Sequence, residues 1–402
     1  CKGCNGGLEP QCRSSVSENC ASRSVSENGK DIGAASHAGN QTSGHGCKDS
    51  SSDSSSGAAD TCRRRNSYWL TESVSLFSKG FELPYTRLSL IQEARRIIAS
   101  VTCTINWDDI VPSHGPGAVA HGEEPWNKRF FKRFYKKLAE VFPVDQFFYW
   151  SPSHLCDELY YLQNLDDTEP LARVCLVPKD ARGPRVISCE PLEMMWIQQG
   201  MMRLLMKQIE EHPLTKGYVH FTDQSINKDL ARLGSYGGLA TLDLKEASDR
   251  VPLSLVRALF PDHVFKGLDS ARSTATELPS GEILRLRKFA PMGSSLCFVV
   301  LALVVWSVIV AALLLRTRVR RLSSHTDCVY VYGDDVIVDV NDATDAIMAL
   351  ETVGLKVNVD KSYITGQFKE SCGGYYFNGH DVSGIKIRTP YSSSWSPETY
   401  AS

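Results

Sequence analysis

Apolar positions change their spacing along the chain, and each change predicts an element. Leu90, Ile91, Ala94, Ile97 and Ile98 recur at helical intervals, so folded structure is expected from about Tyr68 onward. The stretch Trp126 to Val141 repeats the signal. Phe130, Phe131, Phe134 and Leu138 lie on one side, and Lys128, Arg129, Lys132, Arg133, Lys136 and Lys137 on the rest. A helix with a solvated or phosphate-contacting basic face is expected there. Between the two, Val111-Pro-Ser-His-Gly-Pro-Gly117 must turn, because its prolines and glycines forbid a regular helix or central strand. Further on, apolar residues run as a strand from Leu239 into Asp243, with a helix expected soon after. Cys328 to Val340 reads as two apolar strands interrupted by Gly333-Asp334-Asp335, a hairpin with acids at its tip.

Residues 296–315 form a run of 20 positions in which only Ser307 is clearly polar, long enough to cross a bilayer. Basic residues flank it on both sides: Arg285, Arg287 and Lys288 before it, and Arg316, Arg318, Arg320 and Arg321 after it. The asymmetry that orients membrane spans is therefore missing. A single crossing would also put Asp243 and Asp334 on opposite sides of the membrane. A helix apolar all round fits the core of a large soluble domain equally well, and the buried helix is the expectation.

Composition alters the picture at the N-terminus. Residues 1–66 are rich in Ser, Gly, Ala and Asn, with Ser-Val-Ser-Glu-Asn at both 15–19 and 24–28 and the run DSSSDSSSG at 49–57. Too few large apolar residues occur to offset ordering entropy, so a disordered extension is expected. Six of the 13 cysteines fall here, at 1, 4, 12, 20, 47 and 62, with His37 and His45 between them. Cys1-Lys-Gly-Cys4 has no second knuckle at a recognised interval, so structural zinc is the weaker reading. A chain this long without a signal-peptide pattern points to reduced thiols and a cytosolic setting. The first residue is Cys1 rather than Met, and a processed or longer N-terminus is expected. Lys and Arg number 44 against 46 Asp and Glu, a net charge of −2, which excludes a global positive field. Any nucleic-acid surface must be local.

The acids carry the chemistry. Asp334 and Asp335, adjacent in an apolar hairpin, repel each other and cost desolvation, which a divalent cation would relieve. Mg²⁺ takes one or two carboxylates from a protein segment along with substrate phosphates, and Asp243 at its strand end is the natural third acid. Asp249, six residues later, can accept hydrogen bonds from ribose hydroxyls. Together, on two strands in this order, the two acidic motifs are far more specific than either alone.

These residues resemble those of right-hand RNA-dependent RNA polymerases and, within that group, closely resemble those of the replicase catalytic subunit of the single-stranded RNA bacteriophages, the leviviruses. Asp243-Leu-Lys-Glu-Ala-Ser-Asp249 is similar to motif A, Pro291-Met-Gly-Ser-Ser295 with the following helix to motif B, and Tyr332-Gly-Asp-Asp335 to motif C. Leu355-Lys-Val-Asn-Val-Asp-Lys361 resembles motif D. Val177-Pro-Lys-Asp-Ala-Arg-Gly-Pro-Arg-Val-Ile187 with Glu190-Pro resembles the basic finger motif over the incoming triphosphate. His114-Gly-Pro-Gly117 and the stretches Lys369–Gly374 and Gly379-His-Asp-Val extend the resemblance over roughly 84–390.

The resemblance implies an α+β right-hand polymerase with helical or mixed fingers, a palm of antiparallel sheet packed on helices, and a reduced or truncated thumb. The expected organisation is an extension at 1–66, a fingers-like region at 67–235, a palm at 236–390 and a tail or thumb start at 391–402. The implied activity is RNA-templated RNA synthesis replicating a phage genome. Two Mg²⁺ ions, replaceable by Mn²⁺, would be held by Asp243 and Asp334 with Asp335 assisting. Lys179, Arg185 and, as a third member, Arg182 would hold the triphosphate, and Lys361 would protonate pyrophosphate. Gly293 would let the template backbone approach, Ser294 would contact the ribose, and Asn358 reads as a turn or strand-end residue. Template and nascent RNA, NTPs, host elongation factors Tu and Ts and a small-subunit ribosomal protein are the implied partners, in the cytoplasm of an infected bacterium. Two rivals stand beside this. A reverse transcriptase would carry a bulky aromatic near the sugar, against which Asp249 and Gly333 argue. A single-pass membrane protein would make the Gly-Asp-Asp a coincidence.

Overall fold

The structure is a computed structural model describing residues 84–149, 153, 165–180, 183–317 and 329–384, all inside the unit Asp53–Ser402. The expectations for residues 1–66, for the chain around Tyr68, for Arg182, for Cys328 and for a thumb at 391–402 lie outside the described residues.

In chain order the elements are α1 (Arg87–Thr102), the short α2 (Lys136–Ala139) and α3 (Val144–Phe147), then β1 (Leu171–Asp180), β2 (Gly183–Cys189), α4 (Leu192–Glu211) and α5 (Ser225–Gly234). There follow β3 (Leu239–Asp243), α6 (Leu253–Leu259), α7 (Asp262–Ser270), β4 (Ala275–Glu277), β5 (Ile283–Arg285) and α8 (Leu296–Thr317). The hairpin β6 (Val329–Tyr332) and β7 (Asp335–Asp339), helix α9 (Ala343–Thr352), β8 (Phe368–Ser371), β9 (Gly374–Phe377) and β10 (His380–Asp381) complete the order.

Helix α1 starts at a capping box: Thr86 Oγ1 accepts the Ser89 N–H at 3.1 Å, and Ser89 Oγ accepts the Thr86 N–H at 3.0 Å. Its Leu90, Ala94, Ile97, Ile98 and Val101 are buried against α8, as their spacing predicts. Helix α8 is the apolar run itself. It has the length and composition of a membrane span, yet every residue from Val299 to Leu314 is buried beneath α1, α4, β6 and α9. Its only polar residue over that stretch apart from the Trp306 indole, Ser307, donates back to the Val304 carbonyl at 3.0 Å. At its end Arg316 forks onto Asp345 and, at 2.6 Å, Asp342 of the α9 start, so one of the flanking basic residues belongs to an internal ion pair.

An antiparallel sheet in the order β3-β7-β6 lies against this core. Alternation along β7 sorts its two faces: Val336 and Val338 join the main core, whereas Ile337 packs on Ala231 of α5 and Tyr376 of β9. The segment 357–363 runs antiparallel along the outer edge of β3 through Leu244–Val357 and Thr241–Tyr363 bridges. A second sheet has the order β2-β1-β4-β5, with β4 parallel to β1. It joins residues 171–189 to 275–285, so the expected boundary at 235/236 does not separate two bodies in space. A third, small sheet has the order β10-β9-β8.

The helix expected over Trp126–Val141 is not formed; only α2 is helical. Lys128 is buried, with Nζ donating to the Gly115 carbonyl at 3.0 Å and the Gly117 carbonyl at 2.6 Å. The Lys132 and Arg133 N–H groups turn instead to the buried Glu193 carboxyl at 3.3 Å each. Charge-assisted bonds to a folded loop thus replace helical ones. Phe131, Phe134 and Leu138 are buried as expected, but Phe130 is exposed.

Candidate active site

The hairpin β6–β7 closes through a two-residue turn, Gly333-Asp334, between the paired Tyr332 and Asp335. Gly333 has φ +64°, the left-handed conformation such turns require. A Cβ on it would lie 2.0 Å from the Phe298 ring of α8, so the core helix seats the acidic turn directly. On the other side of β7, Asp243 is the register partner of Asp335. Sheet pairing therefore brings motifs that lie far apart in sequence to one end of the sheet.

A cleft of about 870 Å³ opens at that end. Asp243 and Asp334 line it, together with Lys179, Arg185, Asp249, Gly293, Ser294 and Lys361. Eight of the expected site residues thus share one cavity. After Asp243 the chain forms a single 3₁₀ turn, Ala247–Arg250, rather than the expected helix, and α6 begins only at Leu253. The turn follows Glu246 in the left-handed region, φ 54°. Lys179 and Arg185 stand on β1 and β2, near the end of the hairpin where β1 leads into β2, and both are exposed.

Asp335 is the exception. It does not line the cleft; its Oδ2 accepts the Cys372 N–H at 3.3 Å, from the β8–β9 turn. Asp334 belongs to the turn and Asp335 to the strand, so the adjacent side chains diverge. Burial, then the charges of Asp334 and Asp243, push the Asp335 carboxyl up to about 7. Burial also raises Asp243, with Asp334 and Glu370 adding to it and the Asn358 hydrogen bond and Lys361 opposing. Among the described residues, no three His, Cys, Asp or Glu side chains stand close enough to hold a metal together. Two carboxylates facing an open cleft, Asp243 and Asp334, nevertheless fit an oxygen-seeking divalent cation that completes its shell with water and substrate phosphates.

Other expectations change on contact with the geometry. At Gly293, φ +124°, a Cβ would lie 2.2 Å from the Ser188 carbonyl oxygen; the close approach is made by the chain's own strand β2. Ser294 is buried and its hydroxyl donates to Gln198 Oε1 at 2.9 Å, so that donor is committed inside the protein. Asp249 pairs with Lys288 at 2.5 Å while remaining exposed to the cleft. Asn358 is more than a strand-end residue. Its Nδ2 donates to Asp243 Oδ2 at 2.7 Å and its backbone N–H to the Asp243 carbonyl at 2.8 Å. Cys297 is a buried thiol, raised to about 12 chiefly by burial; Cys372 is half-buried and raised to about 12. Asn358, Lys288 and Gln198 were not selected from sequence. The family-like stretch around Asn358 was the available signal for the first; Lys288, next to Arg287 ahead of the apolar run, was read only as a flanking charge, and nothing marked the third.

The chain matches the RNA replicase, beta-chain family over residues 160–396. It is 34% identical over 220 residues to the RNA-directed RNA polymerase subunit beta of Qbeta virus (strain MX1), covering 54% of this chain and 36% of that one. With the RNA-directed RNA polymerase beta chain of Escherichia phage MS2 the identity is 32% over 218 residues, 54% of this chain and 38% of the relative. The matched region thus spans little more than a third of the length of these relatives. A solved chain described as an RdRp complex superposes on 73% of this chain and 28% of its own, with a TM-score of 0.45 and 12% identity, a likeness too loose to carry weight. The fold is mixed α and β, the acids of two strands meet in one cleft, and the family match covers that cleft from Lys179 to Lys361: the chain belongs to the RNA replicase beta-chain family.

Proposed function

We propose that this chain carries out RNA-templated RNA synthesis, joining the α-phosphorus of an NTP to an RNA 3′-oxygen with release of pyrophosphate. The observation that supports it most is the arrival of Asp243 and Asp334, from separate strands, in the same cleft as Lys179 and Arg185. Their chemistry is complementary, with carboxylates for a cation and basic side chains for phosphates lining one cleft. A divalent cation held by Asp243 and Asp334, Mg²⁺ or in its place Mn²⁺, would neutralise phosphate charge and favour the ionised 3′-hydroxyl. Lys179 and Arg185, with Arg182 as a third member, orient the triphosphate and stabilise its developing charge. Asn358 keeps the Asp243 carboxylate aimed. Lys361, exposed at the cleft wall, is the candidate proton donor to pyrophosphate. Asp249 accepts hydrogen bonds from the ribose in exchange for its contact with Lys288.

In this reading the β3-β7-β6 sheet with α8 and α9 is the palm of a right-hand polymerase and the β1–β2 hairpin belongs to its fingers. The biological role would be replication of an RNA phage genome. The relatives are named as beta subunits or chains, which supports action within a complex. Host elongation factors Tu and Ts and a small-subunit ribosomal protein, in the bacterial cytoplasm, are the proposed partners and setting.

Primer extension on an RNA template with Mg²⁺ tests the proposal. Asp243→Asn and Asp334→Asn should each lower incorporation by at least about a hundredfold. Equal activity in both variants and the wild-type chain would sink the mechanism.

A further inference from the structure

The turn Pro291–Ser295 supplies part of the cleft floor, and it is held from behind by a side chain that does not line the cleft. Gln198 of α4 is completely buried. Its Oε1 accepts the Ser294 hydroxyl at 2.9 Å and the Ser295 N–H at 3.0 Å, and its Nε2 donates to the Ala271 carbonyl at 2.7 Å. The Ser295 N–H can only donate and the Ala271 carbonyl can only accept, so the amide has one possible orientation. The neighbouring Gln199 donates to Ser295 Oγ at 2.7 Å. Successive glutamines thus grip successive serines.

The opposite side of the turn is gripped as well. The Ser188 N–H of β2 donates to the Met292 carbonyl at 2.8 Å, and the Ser188 carbonyl occupies the space where a Gly293 side chain would begin. Ser294 Oγ also accepts the Leu296 N–H at 3.3 Å, capping the start of α8. The turn is therefore wedged between β2, which carries Arg185, and α4, with Gln198 at the centre of the wedge. Asp249 lines the same cleft as Met292, Gly293 and Ser294 of the turn.

We propose that Gln198 is a positioning residue: by fixing Gly293 and Ser294 relative to Asp249, it sets the fit of the cleft to the nucleotide sugar and thereby the preference for ribonucleotides over deoxyribonucleotides. This rests on the polymerase reading above. Gln198 touches no substrate; it acts through the turn. The site needs a double acceptor and a donor at once, which an amide supplies and a protonated carboxyl, as expected of a glutamate buried here, can also supply. Leucine fills the volume and supplies neither.

The test uses the full chain carrying Gln198→Leu or Gln198→Glu, with two readouts. Hydrogen exchange of the amides at 293–296 should quicken in Gln198→Leu while those at 300–314 keep wild-type protection. The ratio of kcat/KM for a ribonucleotide over its deoxy analogue should fall about tenfold in Gln198→Leu and stay within about threefold in Gln198→Glu. Gln198→Leu combined with Ser294→Ala should lower the ratio by less than the product of the two single effects, since the two residues share one of the contacts that hold the turn. Unchanged exchange at 293–296, quickened exchange with an unchanged ratio, or additive effects in the double variant would each overturn the proposal. If protection is lost throughout Gln198→Leu, Gln198→Asn, shorter by one methylene, is read by the same criteria. A wild-type chain without incorporation would refute the polymerase reading instead, and the exchange result alone would then decide the clamp.

Discussion

Asp243 is held at three atoms. Its N–H donates to Ser362 Oγ at 3.1 Å, its carbonyl accepts the Asn358 N–H at 2.8 Å, and its Oδ2 accepts Asn358 Nδ2 at 2.7 Å. Asn358→Ala should therefore lower kcat about tenfold with little change in KM, because a loosened carboxylate misplaces the reacting groups; steady-state primer extension measures it. His114 offers a separate check on the fold. Its ring stacks on Trp196 at 4.4 Å, and burial, then Lys128 and Arg129, lower it from 6.5 to about 4. The unfolded chain binds this proton first, so stability should fall as pH drops from about 6.5 towards 4 and be insensitive to this group above that range. Thermal unfolding across that window should flatten in His114→Gln. The acids could be picked out from sequence because paired carboxylates in apolar strands have no cheap structural explanation. Asn358 could not be picked out by that logic, since a lone amide at a strand end satisfies local backbone equally well.

Among the elements, the acidic hairpin depends on one glycine. Gly333→Ala carries the left-handed penalty, about 1–2 kcal/mol, and adds a clash with the Phe298 ring. Its destabilisation in urea should exceed that penalty, and Phe298→Ala in the same chain should recover part of the excess. In α8, Trp306 is fully buried, and Trp306→Ala should cost about 3–5 kcal/mol by the same measurement. Helix α1 and the hairpin were legible because their periodicity is local and their packing agrees with it, and α8 because its apolar run is continuous. Trp126–Val141 was misread for the opposite reason. Its apolar spacing was helical, but Lys128 and the Lys132 and Arg133 amides find partners in the 115–117 turn and in Glu193, contacts that no pattern within the segment reveals.

Across the whole molecule, the cleft draws on β1–β2, the segment after β3, the turn before α8, the β6–β7 turn and the 357–361 stretch. A ligand that bridges them should stabilise all of them together. With Mg²⁺ and an NTP at about a hundredfold over Kd, the linkage is about 2.7 kcal/mol, on the order of 5 °C in Tm; Asp243→Asn should abolish that shift, as read by thermal unfolding. The pairing of β1 with β4 was invisible beforehand, because short strands a hundred residues apart in sequence, on the order of the separations that slow folding, leave no local mark. The same long-range wiring governs the order of events during synthesis. Helix α8 leaves the ribosome before β6 and α9, two of the elements that cover it, and β3 must wait for β7. Until α9 has emerged the nascent chain carries an apolar helix that is only partly covered, and until β7 has emerged the strand of Asp243 lacks its partner, so translation through residues 329–352 is the stretch that ends this exposure of apolar surface and unpaired strand edge.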